Sequence, residues 1–331
     1  MKILTKDELQ EAKKELDNGG LVIFPTETVY GLGANALDSK AVDKIFKAKN
    51  RASNNPLIVH LKNKDEITKY AIINNEIEEK LIDKFMPGPF TLILEKKSII
   101  PNNVTCDLDT VGIRIPIDSI AHNLLDILDY PIAAPSANVS TKPSGTNVFD
   151  IIPEFDEKVS YIIDGGDSRI GLESTVCKVI DGIPTILRPG YITKEDIISV
   201  IGICNVSKYV MEEAKGKVES PGMMYKHYAP VTKCILVETD LINKVSQEYQ
   251  KTIIIGSSKL SDIPCYNFIN YGDDLVTIAH NIFRLLREAD KLNGEVIVIE
   301  AIEPIGLGLA IMNRLIRTCE YHYIKRENED K

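Results

Sequence analysis

The chain has 331 residues, 44% of them hydrophobic and 26% charged, which is enough to bury the cores of two ordinary domains. Its formal net charge of −9 lacks the basic balance of a dedicated nucleic-acid binder, and no apolar run reaches the roughly 20 residues that cross a bilayer. The six cysteines contain no CxxC pair and the five histidines no HExxH, so the sequence supports no metal site, and reduced, mostly buried thiols are expected.

The opening stretch MKILTKDELQEAKKEL spreads charge where a signal peptide needs an apolar run, so a cytoplasmic chain without a membrane segment is expected. A capping box from Thr5 to Glu8 starts a helix that Gly19-Gly20 ends, and LVIF at 21–24 reads as a buried strand. Apolar, β-branched runs at 57–61, 91–95, 111–115, 131–134 and 160–163 predict further strands. Runs 174–180 and 183–188 meet at Asp181-Gly182 as a hairpin, and helical patterns fall at 38–49, 75–85, 119–128 and 193–201. Helical crossovers together with a hairpin predict a twisted, open, mixed α/β sheet.

The pattern breaks near residue 208 into a polar, Pro- and Gly-bearing stretch, and a simpler rhythm follows it. Strands at 233–238, 252–255, 265–269 and 296–299 alternate with helices at 240–250, 274–290 and 309–319, which predicts a smaller Rossmann-like α/β domain. The expected division is a catalytic domain over 1–207, a linker over 208–231 and the second domain over 232–331.

Several segments carry chemistry. FPTETVYGLG at 24–33 leaves a strand past the hydroxyls of Thr26, Thr28 and Tyr30 and reaches Gly31-Leu32-Gly33, which reads as a tight turn. KAKNRASNNPLIVH at 47–60 groups Lys49, Arg51, Asn54 and Asn55 before His60, a set suited to phosphate or carboxylate, or else a basic helix end. Lys40, Lys44, Lys47 and Arg51 also recur at helical spacing, either as a solvated face or as an anion- or RNA-facing stripe. Arg114 sits inside the apolar strand TVGIRIP, where burial requires an anionic ligand or an acidic partner. APSANVSTKPSGT at 134–146 presents Ser136, Asn138, Ser140, Ser144 and Thr146 on one polar loop, and ESTV and LRPG put Ser174 and Arg188 at strand ends.

The ordered series FPTETVYGLG, KNRxxxNPLIVH, MPGPFTLIL, TVGIRIP, APSANVS, ESTV and LRPG resembles that of the YrdC-type threonylcarbamoyl-AMP synthases. SPGMMYKHYAP resembles the interdomain linker of the longer, two-domain members, and IEPIGLGLAIMNRLIRT resembles their ending, so the likeness spans essentially the whole chain. One departure is Thr141, where the family usually has glycine.

The resemblance implies an enzyme that joins L-threonine, bicarbonate and ATP, with Mg2+ on the phosphates, into threonylcarbamoyl-adenylate and pyrophosphate for tRNA modification. By the same resemblance Thr28, His60, Arg114, Ala134 through its backbone, and Ser174 hold threonine. Arg51, Asn55, Thr110, Ser136, Ser144, Arg188 and Tyr225 hold ATP, and Lys49, with Arg51 and Arg114, serves the phosphates and the chemistry. A downstream threonylcarbamoyl transferase is the implied partner, with direct tRNA contact open. The alternatives are a carbamoyl-adenylate-handling carbamoyltransferase and a non-catalytic RNA-binding module.

Overall fold

The computed structural model describes residues 1–212 and 228–326. Tyr225 and most of the expected linker lie outside the described residues. Contacts divide the described chain into two compact units, one holding 1–140 and 144–212, the other 141–143 and 228–326.

The first unit is built on a mixed sheet. Across it run Lys2–Leu4, Tyr161–Ile163, Val22–Phe24, Gly31–Asn35, Ile132–Ala134, Ile58–His60, Thr110–Arg114, Phe90–Lys96, Thr175–Ile180, Ile183–Arg188 and Asn205–Val206. Ala71–Ile72 adds to Phe90–Lys96. Parallel pairs such as Ile58–His60 with Thr110–Arg114 alternate with antiparallel ones such as Phe90–Lys96 with Thr110–Arg114. The expected mixed sheet is therefore present. The hairpin turns at Asp181 and Gly182, both at positive φ (51° and 75°), the geometry a two-residue primed turn demands.

Helix ends follow local chemistry. The Asp38 carboxylate accepts from the amides of Lys40 and Ala41 to start Ser39–Lys49, which stops at Asn50 in the left-handed region. Asn75 and Asp118 cap Glu76–Phe85 and Ser119–Asp126 likewise, and Thr193 with Asp196 forms a full capping box for Lys194–Ile201. These helices bury one face on the sheet, for example Ala41, Val42 and Ile45 against Leu32 and Val59.

One expectation is corrected. Gly31-Leu32-Gly33 is not a turn but the start of strand Gly31–Asn35, antiparallel to Val22–Phe24. A Cβ on Gly33 would lie 2.8 Å from both the Phe24 ring and Ile132, so the glycines serve close packing within the sheet. The first strand, Lys2–Leu4, and the helix Val148–Phe155 also went unread.

The second unit is a wholly parallel sheet in the order Asn267–Asn270, Thr252–Gly256, Val296–Glu300, Cys234–Val237, Tyr323–Ile324. Among the described residues Ile242–Ser246, Leu275–Lys291 and Leu307–Thr318 are its helices, the first shorter than the 240–250 pattern, since it starts after a 3-10 turn at 239–241 and ends at Ser246. Continuous apolar strands such as VIVI at 296–299, fully buried, are what a sheet covered on both faces requires. This is the expected Rossmann-like domain.

Candidate active site

Three neighbouring strands and the loops at their ends assemble the polar cluster. Register places His60 opposite Arg114, and Arg114 opposite Thr91. Three loops are stitched beside them by backbone hydrogen bonds: Ile170 and Gly171 donate to the carbonyls of Glu27 and Thr28, Ser168 to Thr146, Tyr30 to Gly145 and Ala137 to Tyr30. The stitching fixes Thr28, Ser136, Ser144 and Ser174 in one region of the first unit.

Arg114 is buried, and its Nη2 donates to Oε1 of buried Glu27 at 2.6 Å. The Arg114 Nε and the Glu27 Oε2 are both buried without a hydrogen-bond partner. Next to this pair, the His60 Nδ1 lies 3.2 Å from the Ile58 carbonyl and its ring meets Phe24 edge-on. Burial, reinforced by the Arg114 charge, drives the His60 pKa down to about 3, so the imidazole is neutral. Thr26 donates to the Val29 carbonyl at 2.6 Å, which leaves Thr28 to donate to Thr26 across 2.8 Å.

Farther along, Ser174 shares a 2.8 Å hydrogen bond with Thr91. Arg188 donates to the Ser174 carbonyl from Nε and Nη2 at 3.1 and 2.9 Å, and to the Ser174 hydroxyl at 3.1 Å. Ser144 is fully buried and donates to Glu173 at 2.6 Å. Ala134 ends the strand paired with Ile58–His60.

A second group surrounds Lys49. Its ammonium, almost wholly buried, donates to the carbonyls of Ser136 and Asn138 and reaches the Asn138 Oδ1 at 3.4 Å. Burial, then the neighbouring Arg51, push its pKa well below the usual lysine value. Its donors are directed at the loop, so Lys49 holds the shape of 136–138. Ser136 donates to Asn138 at 2.6 Å, while Arg51 wraps back to the carbonyls of Asn55 and Pro56 at 3.1 Å each. Asn55 has a buried Oδ1 without a partner. Thr110 lies at the far end of the Arg114 strand, and Lys40, Lys44 and Lys47 lie on the exposed side of their helix.

Arg114, His60, Thr28, Ser174 and Arg188 are thus joined through Glu27 and Thr91, two residues that sequence reading did not single out. Glu27 carried a signal: an acid between two threonines at a strand exit, with a lone arginine in a strand elsewhere. Thr91 and Glu173 carried none, since their partners are 83 and 29 residues away.

A family profile described as "Telomere recombination" matches residues 14–190, and one described as "Threonylcarbamoyl-AMP synthase, C-terminal domain" matches 192–319. The threonylcarbamoyl-AMP synthase of Pyrococcus abyssi is 43% identical over 317 residues, covering 93% of this chain and 92% of the relative. That of Bacillus subtilis is 38% identical over 322 residues, covering 94% and 93%. The chain belongs to the threonylcarbamoyl-AMP synthases. The crystal structure of P. abyssi Sua5 complexed with L-threonine matches with a TM-score of 0.93 at 40% identity, over 99% of this chain and 100% of that one. The synthase is therefore a nucleotidyltransferase-type enzyme of tRNA modification, with a YrdC-like first unit and the family's C-terminal domain. Among its described residues no helix is long and apolar enough to cross a membrane.

Proposed function

We propose that the synthase works in the cytoplasm, condensing L-threonine, bicarbonate and ATP into threonylcarbamoyl-AMP, pyrophosphate and water. The observation that carries this reading is a buried cluster of cations and polar groups: Arg114 opposite His60 in register and paired with Glu27, and Arg188 on the Ser174 hydroxyl. Threonine's amine captures carbon dioxide from bicarbonate to give a carbamate, whose oxygen attacks the α-phosphorus of ATP as pyrophosphate departs. The substrates supply both nucleophile and leaving group, so the protein's part is positioning and charge stabilisation.

In this reading Arg114 meets the threonine carboxylate, with Thr28, neutral His60, the Ala134 backbone and Ser174 around the remainder. Arg51, Asn55, Thr110, Ser136, Ser144, Arg188 and Tyr225 take the nucleotide, and Lys49 acts on the phosphates by holding the Ser136 loop. Among the described residues no group of three or more His, Cys, Asp or Glu could hold a metal. Mg2+ would arrive on the ATP phosphates and neutralise charge on the departing pyrophosphate. The product is a mixed anhydride, so a transferase acting on tRNA must consume it.

Mass spectrometry of the product from ATP, bicarbonate and threonine, with each left out in turn, tests the reaction. The adenylate is expected only from the complete mixture; pyrophosphate release that persists without threonine or bicarbonate overturns it.

A further inference from the structure

The Arg114–Glu27 pair is incomplete in a particular way. Each partner uses one atom on the other, at 2.6 Å, and each keeps one buried atom unanswered: an N–H on Arg114 Nε and a carboxylate oxygen on Glu27 Oε2. A buried ion pair is stable only when its remaining donors and acceptors are met, and a purely structural pair would be expected to close in a bidentate fork. Glu27 is also one of the residues lining a cleft of about 260 Å³, together with Thr26, Asp118 and Ser168, so the pair lies close to open space. The Glu27 carbonyl accepts from the Ile170 amide.

An α-amino acid carries a carboxylate and an ammonium on one carbon. A guanidinium and a carboxylate held side by side form the mirror of that charge pattern. We propose that Glu27 is a substrate-binding residue that pairs with the ammonium of threonine, so that Arg114 and Glu27 together read the zwitterion. The inference rests on the placement of the threonine carboxylate at Arg114. It adds a basis for selection: an α-hydroxy acid satisfies Arg114 but leaves Glu27 facing a neutral hydroxyl, and a simple amine leaves Arg114 unmet.

The test uses the full chain and two ligands measured by calorimetry: L-threonine and 2,3-dihydroxybutanoate, in which a hydroxyl replaces the amine. Wild type is expected to prefer threonine by about 10- to 100-fold, the range of a hydrogen bond to a charged group. Glu27→Gln is expected to lose that preference while binding the dihydroxy acid as wild type does. Should threonine and the dihydroxy acid weaken together, Glu27 only holds Arg114 in place and the proposal is overturned; unchanged threonine affinity in a folded variant overturns it too. If Glu27→Gln does not fold, Glu27→Asp, which keeps the charge on a shorter arm, must still shift the preference, and an unshifted preference counts against the proposal. Failure of the underlying reaction is distinguishable, because it appears in wild type as absence of the adenylate product.

Discussion

The first unit carries Arg114 at the end of a strand with one nitrogen unanswered, whereas the second carries Glu300, also at the end of a strand, with both oxygens answered. Glu300 accepts from Thr239 at 2.9 Å on one oxygen, and from the Ser257 amide and Tyr271 hydroxyl at 2.7 Å each on the other. Both residues are about equally buried, at 4% and 5% exposure, so burial alone does not separate them. What separates them is closure. A closed polar cluster rigidifies a scaffold, while an open one gives up stability and is retained where a ligand supplies the missing partner.

The comparison breaks most easily at Arg114. Arg114→Ala is expected to lower kcat/KM for threonine by about 2–5 kcal/mol, since it removes the cation and leaves Glu27 buried without one. Steady-state pyrophosphate release over a threonine titration measures this, with thermal unfolding to confirm a folded protein. Full activity would make the Arg114–Glu27 pair structural, as the Glu300 cluster is.

Much of this was legible in local pattern. The Asp181-Gly182 hairpin, the helical patterns at 38–49, 75–85 and 119–128 and the strand–helix alternation after 232 all depend on residues a few positions apart, where local propensity acts. Gly31-Leu32-Gly33 misled because a glycine that a turn favours is also what close packing on Phe24 needs, and only the tertiary neighbours decide. Arg114 stood out as a charge in an apolar strand, but its partner Glu27 is 87 residues away. Ser144 and Ser174 were visible as hydroxyls on loops, without the Glu173, Thr91 and Arg188 contacts that orient them. Tyr225 was singled out in the linker and lies outside the described residues.

His60 sharpens the comparison through pH. Its folded pKa, about 3, lies below the unfolded value near 6.5, so the unfolded chain takes up the proton first as pH falls. Stability is therefore whole above pH 6.5 and is lost progressively toward pH 3, by about 2 kcal/mol between pH 6.5 and 5. Thermal or urea unfolding of wild type against His60→Gln should show that extra loss in wild type alone, on the transition of the first unit. Equal slopes in the two proteins would mean that His60 is hydrated or charged in the folded state.

The smallest effect comes from the same deletion made once in each unit. Ser144→Ala removes a hydroxyl that donates to Glu173 at 2.6 Å, and Tyr271→Phe removes one that donates to Glu300 at 2.7 Å. Each loses one hydrogen bond to a buried carboxylate, so each should destabilise its unit by about 1.5 kcal/mol. Beyond stability the two should part. Glu300 keeps Thr239 and the Ser257 amide, and among the described residues its cluster touches none assigned to a substrate, so Tyr271→Phe should leave the KM for ATP as it was. Ser144 is on the loop proposed to carry the nucleotide, whose Gly145 carbonyl also holds the Tyr30 amide, so Ser144→Ala should raise the KM for ATP by about tenfold, the equivalent of one lost hydrogen bond to a charged group. Unfolding curves and ATP titrations on the two variants supply both readouts. If both raise the KM alike, closure does not mark the scaffold off from the site; if neither does, Ser144 belongs with Glu300 among the closed, structural clusters.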